Sequence, residues 1–257
     1  MAAIHPFLPV RWRWFASVAG LLVLLMLRVA AVETREVIFE GKRMSVSVVD
    51  VSKERLELFL NDDQGQPFKR FARLQAWLGE GDRQLRWATN AGMYHRDYSA
   101  VGLFISEGKM LFPLNLAAGE GNFFLKPNAV FFLTADGAHI LGAEAYAAAK
   151  PAALLATQSG PALVLDGRFH PAFRRGSKNV LHRNGVGVAT RHKVFFALSE
   201  DPVNFDEFAR FFRDRLGCRN ALFFDGTVSS LHDSALKRSD EKIDLGPILG
   251  ITEPKAP

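Results

Sequence analysis

Short apolar or alternating runs, bounded by Gly, Asn and Asp, recur along the chain from about residue 32. Runs of this length with a period of two predict β-strands. Hairpins are predicted where two such runs flank a short turn. The predicted turns are Glu107-Gly108, Asp136-Gly137, Asp166-Gly167 and Arg191-His192. The other predicted strands are residues 36–39, 44–50, 56–60, 85–89 and 221–224.

Residues 67–78 show the period of an α-helix. Pro67 suits the first helical position, and Gly79 suits the end of the helix. The face predicted to be buried consists of Phe68, Phe71, Ala72, Gln75 and Leu78.

A second and clearer helix is predicted over residues 205–216. Asn204 and Glu207 have the spacing of a capping box, and Gly217 follows the last turn. Many antiparallel hairpins with two or three helices predict an α+β fold, with a large, mostly antiparallel or mixed sheet and a few packed helices. No linker or repeat divides residues 32–257, so we expect them to form a single domain.

The first 31 residues differ from the rest of the chain. Arg11 and Arg13 precede an apolar run over residues 15–27, and small residues follow it. This order predicts a secretory signal peptide over residues 1–31, and hence export to the periplasm or the extracellular space. The run is shorter than the ~20 residues that a spanning helix needs. Arg28 interrupts the expected cleavage region, so the alternative is an uncleaved anchor in the inner membrane.

Composition narrows the functional classes. The formal net charge of +5 includes three arginines among residues 1–31, and no dense Lys/Arg stripe follows, so we expect no nucleic-acid partner. A single cysteine, Cys218, excludes an intramolecular disulfide and a cysteine-based metal cluster. The 22 phenylalanines predict an aromatic core. The oligomeric state is left open.

The common catalytic signatures are missing from the sequence. Without G-x-S-x-G, H-E-x-x-H, a Walker A motif or a G-x-G-x-x-G after a strand, the chain is unlike lipases, zincins, P-loop enzymes and Rossmann dehydrogenases. No two histidines have metal-ligand spacing, so no zinc site and no cofactor are predicted. Carboxylates could still bind Ca²⁺ or Mg²⁺.

Polar residues follow apolar strands or glycines in four places, and side chains at strand ends can converge on one pocket. The strongest candidates for catalysis are Asp225, Arg183 and Asn90. A carboxylate that leaves an apolar strand can have its pKa tuned by burial and by nearby donors. The candidates for ligand binding are His182, Lys126, Asn122, Asp97, Ser159, Gly160, Gly226, Thr227, Ser229 and Ser230.

Each cluster also has a purely structural interpretation. The segment after Asn90 could be a tight turn with a solvated loop, and the segment around Asn122 could be a glycine-rich connection. Arg183 could pair with a structural carboxylate. Asp225-Gly226 could be an ordinary hairpin turn.

These clusters, in this order, resemble the phosphodiester glycosidase family, and in particular its bacterial exported branch. The matching segments are residues 90–94, 159–164, 183–187 and 225–230, and the resemblance spans about residues 85–250. The family's best-known type is the N-acetylglucosamine-1-phosphodiester α-N-acetylglucosaminidase. Two segments depart from the family pattern: Asn90-Ala91-Gly92-Met93 replaces Asn-Gly-Gly-Phe, and Thr227-Val228 replaces part of a glycine run.

The resemblance implies an exported hydrolase that cleaves the glycosidic C–O bond of a sugar-1-phosphodiester in an envelope glycan or glycoconjugate. Asp225 would then activate water or attack the sugar C1, and Arg183 would hold the phosphate with Lys126 and His182. Asn90, Ser229 and Ser230 would orient sugar or phosphate oxygens. Two alternatives remain open. One is a non-catalytic protein that binds an envelope polysaccharide; the other is a metal-dependent phosphodiesterase that cuts the P–O bond.

Overall fold

The computed structural model of the protein describes residues 32–255, so the predicted signal segment lies outside the described residues. Within them the α+β class is confirmed. The helices are α1 (Phe71–Glu80), α2 (Ala143–Ala149) and α3 (Phe205–Arg210). The strands are β1 (Val32–Phe39), β2 (Lys42–Asp50), β3 (Leu56–Phe59), β4 (Arg83–Asn90), β5 (Phe104–Ser106), β6 (Lys109–Phe112), β7 (Ala129–Thr134), β8 (Gly137–Gly142), β9 (Leu155–Ser159), β10 (Ala162–Leu165), β11 (Arg168–Phe169), β12 (Asn184–Val188), β13 (Lys193–Ser199), β14 (Asn220–Phe223), β15 (Leu231–Asp233), β16 (Arg238–Ser239) and β17 (Ile248–Pro254).

The strands form three antiparallel sheets rather than one large sheet. The first sheet has the order β1-β2-β13-β12-β14-β10-β11. The second has the order β16-β15-β4-β17-β3, and the third has the order β6-β5-β9-β7-β8. Some consecutive strands pair as hairpins, such as β1–β2 and β15–β16, whereas pairs such as β2–β13 and β4–β17 join distant parts of the sequence.

All four predicted hairpins form, as β5–β6, β7–β8, β10–β11 and β12–β13. In two of them both turn residues have positive φ: 51° and 73° at Glu107-Gly108, and 51° and 78° at Asp166-Gly167. Turns of this kind match the right-handed twist of the flanking strands, and they favour Gly and Asp. The turn chemistry therefore identifies the hairpins correctly.

Aromatic residues fill the core, as the composition predicts. Trp87 of β4, Phe131 of β7 and Phe196 of β13 meet where the three sheets face each other, with 4.9 Å between the ring centroids of Trp87 and Phe196. A second cluster packs α3 against the other face of the first sheet, with Phe208 and Phe212 fully buried. Burial of such side chains is the main stabilising contribution to the fold.

The prediction for the first helix is wrong at both ends. The helix begins at Phe71 rather than Pro67, because Lys69 has a φ of +62°, which a right-handed helix does not accept. Pro67 instead forms an isolated bridge with Asn61. The buried residues of α1 are Phe71, Leu74 and Leu78. Of the predicted face, Ala72 is exposed, Gln75 is half-buried, and Phe68 is buried but precedes the helix.

The second helical prediction is confirmed. The side chain of Asn204 accepts a hydrogen bond from the main-chain N–H of Glu207 (2.9 Å). The carboxylate of Glu207 in turn accepts one from the main-chain N–H of Asn204 (2.8 Å). The helix continues beyond α3 as a π-helical turn, Phe211–Arg215, and Gly217 follows with a φ of +71°. Among residues 32–255, no helix combines the length and the apolar character needed to cross a bilayer.

Candidate active site

Three polar residues meet where the first and second sheets come together. Asn90 ends β4, Asn184 begins β12, and Asp225 follows β14, which is paired with β12. The main-chain N–H of Asp225 donates to Oδ1 of Asn184 (3.1 Å), and Nδ2 of Asn184 donates to Oδ1 of Asn90 (2.8 Å). Nδ2 of Asn90 then donates to the main-chain oxygen of Asp225 (3.0 Å). We call this closed set of hydrogen bonds the Asn90–Asn184–Asp225 ring.

Two serines from other segments extend the ring. The main-chain N–H of Ser230 donates to Oδ1 of Asn90 (3.0 Å), and Oγ of Ser159, at the end of β9, donates to the main-chain oxygen of Phe224 (2.8 Å). Both serines and both ring asparagines are buried. Because buried and hydrogen-bonded polar groups hold one geometry, the main chain of Asp225 is fixed by its two bonds within the ring, and the preceding main chain by Ser159.

The carboxyl group of Asp225 lies at the half-buried edge of this ring. Its Oδ1 accepts a hydrogen bond from the main-chain N–H of Thr227 (3.1 Å). Burial raises the pKa of Asp225 above its ordinary value, and the opposing donors of Thr227 do not cancel that effect. Within residues 32–255, no lysine, arginine or histidine forms an ion pair with it. An aspartate with a raised pKa is a better proton acceptor, when ionised, than an ordinary aspartate.

Two predicted binding residues, Gly226 and Gly160, let chain segments approach one another. A Cβ atom on Gly226 would lie 2.2 Å from the main-chain oxygen of His182 and 3.1 Å from Cα of Arg183. A Cβ atom on Gly160 would lie 2.5 Å from the main-chain oxygen of Phe123. Any larger residue would push these segments apart, so each glycine is required by the packing of the protein itself.

Arg183 lies on the opposite side of the first sheet from Asn184, since neighbouring residues in extended chain point to opposite faces. Its Nε donates to the main-chain oxygen of Val203 (2.9 Å), and its Nη2 to that of Asn179 (3.2 Å). The guanidinium stacks 3.6 Å from the ring centroid of Phe205, and burial lowers its pKa to about 10. Of its three guanidinium nitrogens, only Nη1 has no hydrogen bond to residues 32–255. The predicted contact of Arg183 with phosphate stays a prediction.

The other predicted residues do not bond to the ring within the described chain. Nζ of Lys126 contacts Glu144 (3.0 Å), and Asn122 is exposed. His182 is also exposed, and its Nδ1 lies 3.2 Å from the main-chain oxygen of Ser199. Asp97 is exposed and accepts from Ser99 within its own turn.

The hydroxyl groups of Ser229 and Ser230 form hydrogen bonds within their own turn. Oγ of Ser229 donates to the main-chain oxygen of Gly226 (2.9 Å), and Oγ of Ser230 donates to that of Val228 (2.8 Å). Both groups therefore shape the loop that carries Asp225. Their predicted contacts with sugar or phosphate oxygens stay predictions.

Sequence reasoning missed an aromatic wall beside Asp225. Burial, followed by the charge of Asp225, raises the pKa of Tyr94 to about 12. The Tyr94 ring stacks with Tyr98, with 5.7 Å between centroids, and it lies against Gly246, where a Cβ atom would come within 2.3 Å of it. Its hydroxyl donates to the main-chain oxygen of Asp244 (2.6 Å). No separate sequence signal marks Gly246 and Asp244, although Tyr94 belongs to the segment that follows Asn90.

The chain also has a large cleft that does not include the ring. It has a volume of about 1260 Å³ and lies between β3, the β5–β6 hairpin and the β7–β8 turn. Its lining includes Glu57, Asp62, Trp77, Leu111 and Leu154. Volume alone would select this cleft as the site, whereas the buried hydrogen-bonded ring selects Asp225. We favour the ring because catalysis depends on positioned polar groups.

The side chains that commonly ligate metal ions are dispersed. Among residues 32–255, no three His, Cys, Asp or Glu side chains converge on one point. Asp244 lies at the aromatic wall. Its carboxylate accepts hydrogen bonds from Nε of Arg70 (2.7 Å) and from the hydroxyl of Tyr98 (2.9 Å). These contacts lower its pKa.

Comparison with known proteins supports the sequence resemblance. The family model described as phosphodiester glycosidase matches residues 83–240. Escherichia coli K12 protein YigE, described as uncharacterized, is 30% identical over 213 residues, which cover 82% of this chain and 83% of YigE.

Solved structures share the fold at low sequence identity. The zebrafish N-acetylglucosamine-1-phosphodiester alpha-N-acetylglucosaminidase catalytic domain, auto-inhibited by its pro-peptide, matches with a TM-score of 0.56 and 15% identity, covering 86% of this chain and 81% of that one. A Synechocystis protein described as hypothetical matches with a TM-score of 0.52 and 13% identity, covering 86% and 61%.

Proposed function

This chain belongs to the phosphodiester glycosidase family, and from that premise we propose that it is an exported hydrolase that cleaves the C–O bond between a sugar C1 and a phosphodiester. The observation that carries the proposal is the buried ring that fixes Asp225 at its edge. All three ring residues come from segments that the family pattern shares.

Hydrolysis of the C1–O bond requires one positioned carboxylate. Water adds to the sugar C1 while the bond from C1 to the phosphate oxygen breaks, and the phosphate leaves with the electron pair. The proton of the water passes to Asp225, or Asp225 first bonds to C1 and water later displaces it. Because the departing phosphate monoester is a stable anion, little help from a general acid is needed.

The surroundings of Asp225 suit this role. Its raised pKa makes it a better proton acceptor than an ordinary aspartate once it is ionised. The half-buried Tyr94 offers an aromatic face on which a sugar ring can lie. We assign Nη1 of Arg183 to a phosphate oxygen, since the other two guanidinium nitrogens bond to the main chain of Val203 and Asn179.

Hydrolysis in ¹⁸O-labelled water tests the reaction. The full chain is incubated with a panel of sugar-1-phosphodiesters, and the products are analysed by mass spectrometry. Unlabelled phosphate monoester together with free sugar supports C–O cleavage. Labelled phosphate would mean cleavage of the P–O bond, and micromolar binding without any product would mean a glycan-binding protein.

The export part of the proposal rests on residues 1–31 and needs its own test. A fusion of these residues to alkaline phosphatase, which is active only after export from the cytoplasm, should be active in a bacterial host. A matched fusion that lacks residues 11–27 should be inactive. Equal activity of the two fusions would contradict export by this segment.

A further inference from the structure

A short basic loop lies four residues before the His182–Arg183 segment, which packs against Gly226. We propose that the loop formed by residues 174–178, here called the basic loop, binds additional phosphate groups of the substrate. The preferred substrate would then be a glycan with more than one phosphodiester rather than a single sugar-1-phosphodiester. This inference rests on the proposed function and specifies the substrate of the same site.

Charge is the first observation. Arg174, Arg175 and Lys178 place three cations within five residues, and all three are exposed. None of them forms an ion pair within residues 32–255. By contrast, other surface arginines are paired: a carboxylate oxygen lies within 4 Å of the guanidinium group of Arg43 and of Arg191. Positive charge in the basic loop is therefore free to act on a ligand.

The acids that follow along the chain are bound elsewhere. Glu200 and Asp201 form ion pairs with Arg238 (2.5 Å) and Arg43 (2.9 Å). Asp206, in the first turn of α3, is bound by Nε of Arg210 (2.9 Å). Glu207 is held by the main-chain N–H of Asn204 in the capping box (2.8 Å). Asp206 is therefore already paired with a cation, and neither carboxylate forms an ion pair with the three loop cations within residues 32–255.

Anchoring is the second observation. Nδ2 of Asn204 donates to the main-chain oxygen of Ser177 (3.1 Å), and Nη2 of Arg183 donates to that of Asn179 (3.2 Å). Just beyond the loop, Leu181 and Val203 pair through two main-chain hydrogen bonds of 3.1 and 2.9 Å. These contacts hold the C-terminal end of the loop near the sheet that carries the site.

The chain itself connects the basic loop to the segment beside Asp225. The chain runs from Lys178 to His182 in four residues, so their Cα atoms are at most about 14 Å apart. The main chain of His182 and Arg183 packs directly against Gly226, next to Asp225. A ligand held at Asp225 that extends along this segment would reach the cations.

Phosphate is the ligand chemistry that fits best. Two of the three cations are arginines, whose planar guanidinium groups bind phosphate oxygens through paired hydrogen bonds. A phosphodiester carries its charge at every pH at which the fold is expected to work. In a glycan with repeated phosphodiesters, one group would be cleaved at Asp225 while others pair with the loop.

Exposed charge pairs are individually weak, so the expected effect lies in binding rather than in chemistry. Together the three cations should lower KM by roughly three- to tenfold for a substrate with several phosphates. Salt should weaken this advantage, because exposed charges are screened within about 10 Å at 0.1 M ionic strength.

The test compares two substrates and two variants of the full chain. The substrates are a three-unit oligomer joined through C1 phosphodiesters and a single sugar-1-phosphodiester with an uncharged aglycone. The test variant is Arg174→Gln/Arg175→Gln/Lys178→Gln. The control, Arg35→Gln/Lys109→Gln/Lys150→Gln, removes three other exposed cations that have no ion pair within residues 32–255.

The loop variant should raise KM for the oligomer by roughly three- to tenfold with kcat unchanged, and it should leave the single-unit substrate unaffected. The control should match the wild type on both. An unchanged KM for the oligomer, or an equal rise on both substrates, would overturn the inference. Binding to vesicles of anionic lipid is measured alongside. If the loop variant binds these vesicles less tightly but keeps the wild-type KM for the oligomer, the inference is also overturned.

Failure of the proposed function would be recognised separately. If the wild type turns over neither substrate, calorimetric titration with the oligomer still decides the inference. Weaker binding by the loop variant than by the control would support the phosphate subsite, and equal binding would reject it.

Discussion

The Asp225 site and the large cleft differ in how their carboxylates are held. The cleft offers about 1260 Å³, yet its acids are already bound: Glu57 contacts Nη2 of Arg83, and Asp62 contacts Nη2 of Arg73 (2.8 Å). Asp225 has no such cation within residues 32–255: its carboxyl group accepts from the main-chain N–H of Thr227, and the ring asparagines bind its main chain. The difference shows that a large cleft volume does not by itself identify the carboxylate that is available for reaction.

The two environments move carboxyl pKa values in opposite directions. Burial raises the pKa of Asp225, whereas hydrogen bonds from Gln66 and Arg73 lower that of Asp62. A carboxylate with a lowered pKa holds its negative charge but is a poor proton acceptor. Proton transfer is therefore expected at the ring, and structural pairing in the cleft.

The largest expected effect comes from Asp225→Asn. We expect kcat to fall by about 10³-fold or more, because the amide can accept the Thr227 hydrogen bond but cannot take a proton or attack C1. The melting temperature should stay nearly unchanged, since the ring bonds only the main chain of Asp225. Steady-state kinetics and thermal unfolding of the same preparation measure both quantities.

Asp62→Asn is the matched control for that variant, because it makes the same chemical change in the cleft. It should lose some stability with the Arg73 contact, and it should keep full turnover. If Asp62→Asn abolishes turnover and Asp225→Asn does not, the two regions have been assigned the wrong way round.

The next effect in size is expected from Asn184→Ala. This change removes the acceptor of the Asp225 main-chain N–H and the donor to Asn90, so a buried donor and a buried acceptor lose a partner. We expect kcat to fall by about tenfold to a hundredfold, as for a small misplacement of a reacting group. The free energy of unfolding should fall by about 1–3 kcal/mol.

A control separates positioning from simple loss of stability. Asn220, at the other end of β14, accepts from the main-chain N–H of Asp166 (2.8 Å). Asn220→Ala should lower the stability while kcat stays at the wild-type value. If both variants lose activity in proportion to their stability, Asn184 has no special role in placing Asp225.

Local signals explain which parts of this fold could be predicted from sequence. The hairpin turns and the Asn204–Glu207 capping box depend on neighbouring residues, and both were predicted correctly. Strand β17 was not predicted. It lies between β3 and β4 of the second sheet, and its partners are more than 150 residues away. No local pattern encodes a pairing of that kind.

The candidate site shows the same limit at the level of single residues. The segment around Arg183 and Asn184 could be recognised as a cluster of donors, but only the strand register decides which residue faces Asp225. Asn184 faces it, and Arg183 stacks on Phe205. Tyr94 follows Asn90 in the sequence, yet its place beside Asp225 depends on the close approach of Gly246.

A smaller effect is expected in the pH dependence of the wild type. If Asp225 must be ionised, the acidic limb of kcat/KM should lie above the ordinary aspartate value of about 3.9, because burial raises its pKa. Asp225 also stabilises the fold below the pKa it has in the unfolded chain, and this contribution is lost as the pH rises through its pKa in the folded state. The small difference in melting temperature between Asp225→Asn and the wild type should therefore move in favour of the variant as the pH rises above the ordinary aspartate value of about 3.9.

The smallest effect should come from the cleft itself. Leu111 and Leu154 line it with 56% and 55% of their surfaces exposed, so Leu111→Glu and Leu154→Glu should each change stability by less than about 0.5 kcal/mol. A carboxylate at either position would repel a phosphodiester bound in the cleft. Because we place the substrate at Asp225, both kcat and KM should equal the wild-type values. A severalfold rise in KM for either variant would mean that the cleft binds part of the substrate, and the distinction between the two regions would no longer hold.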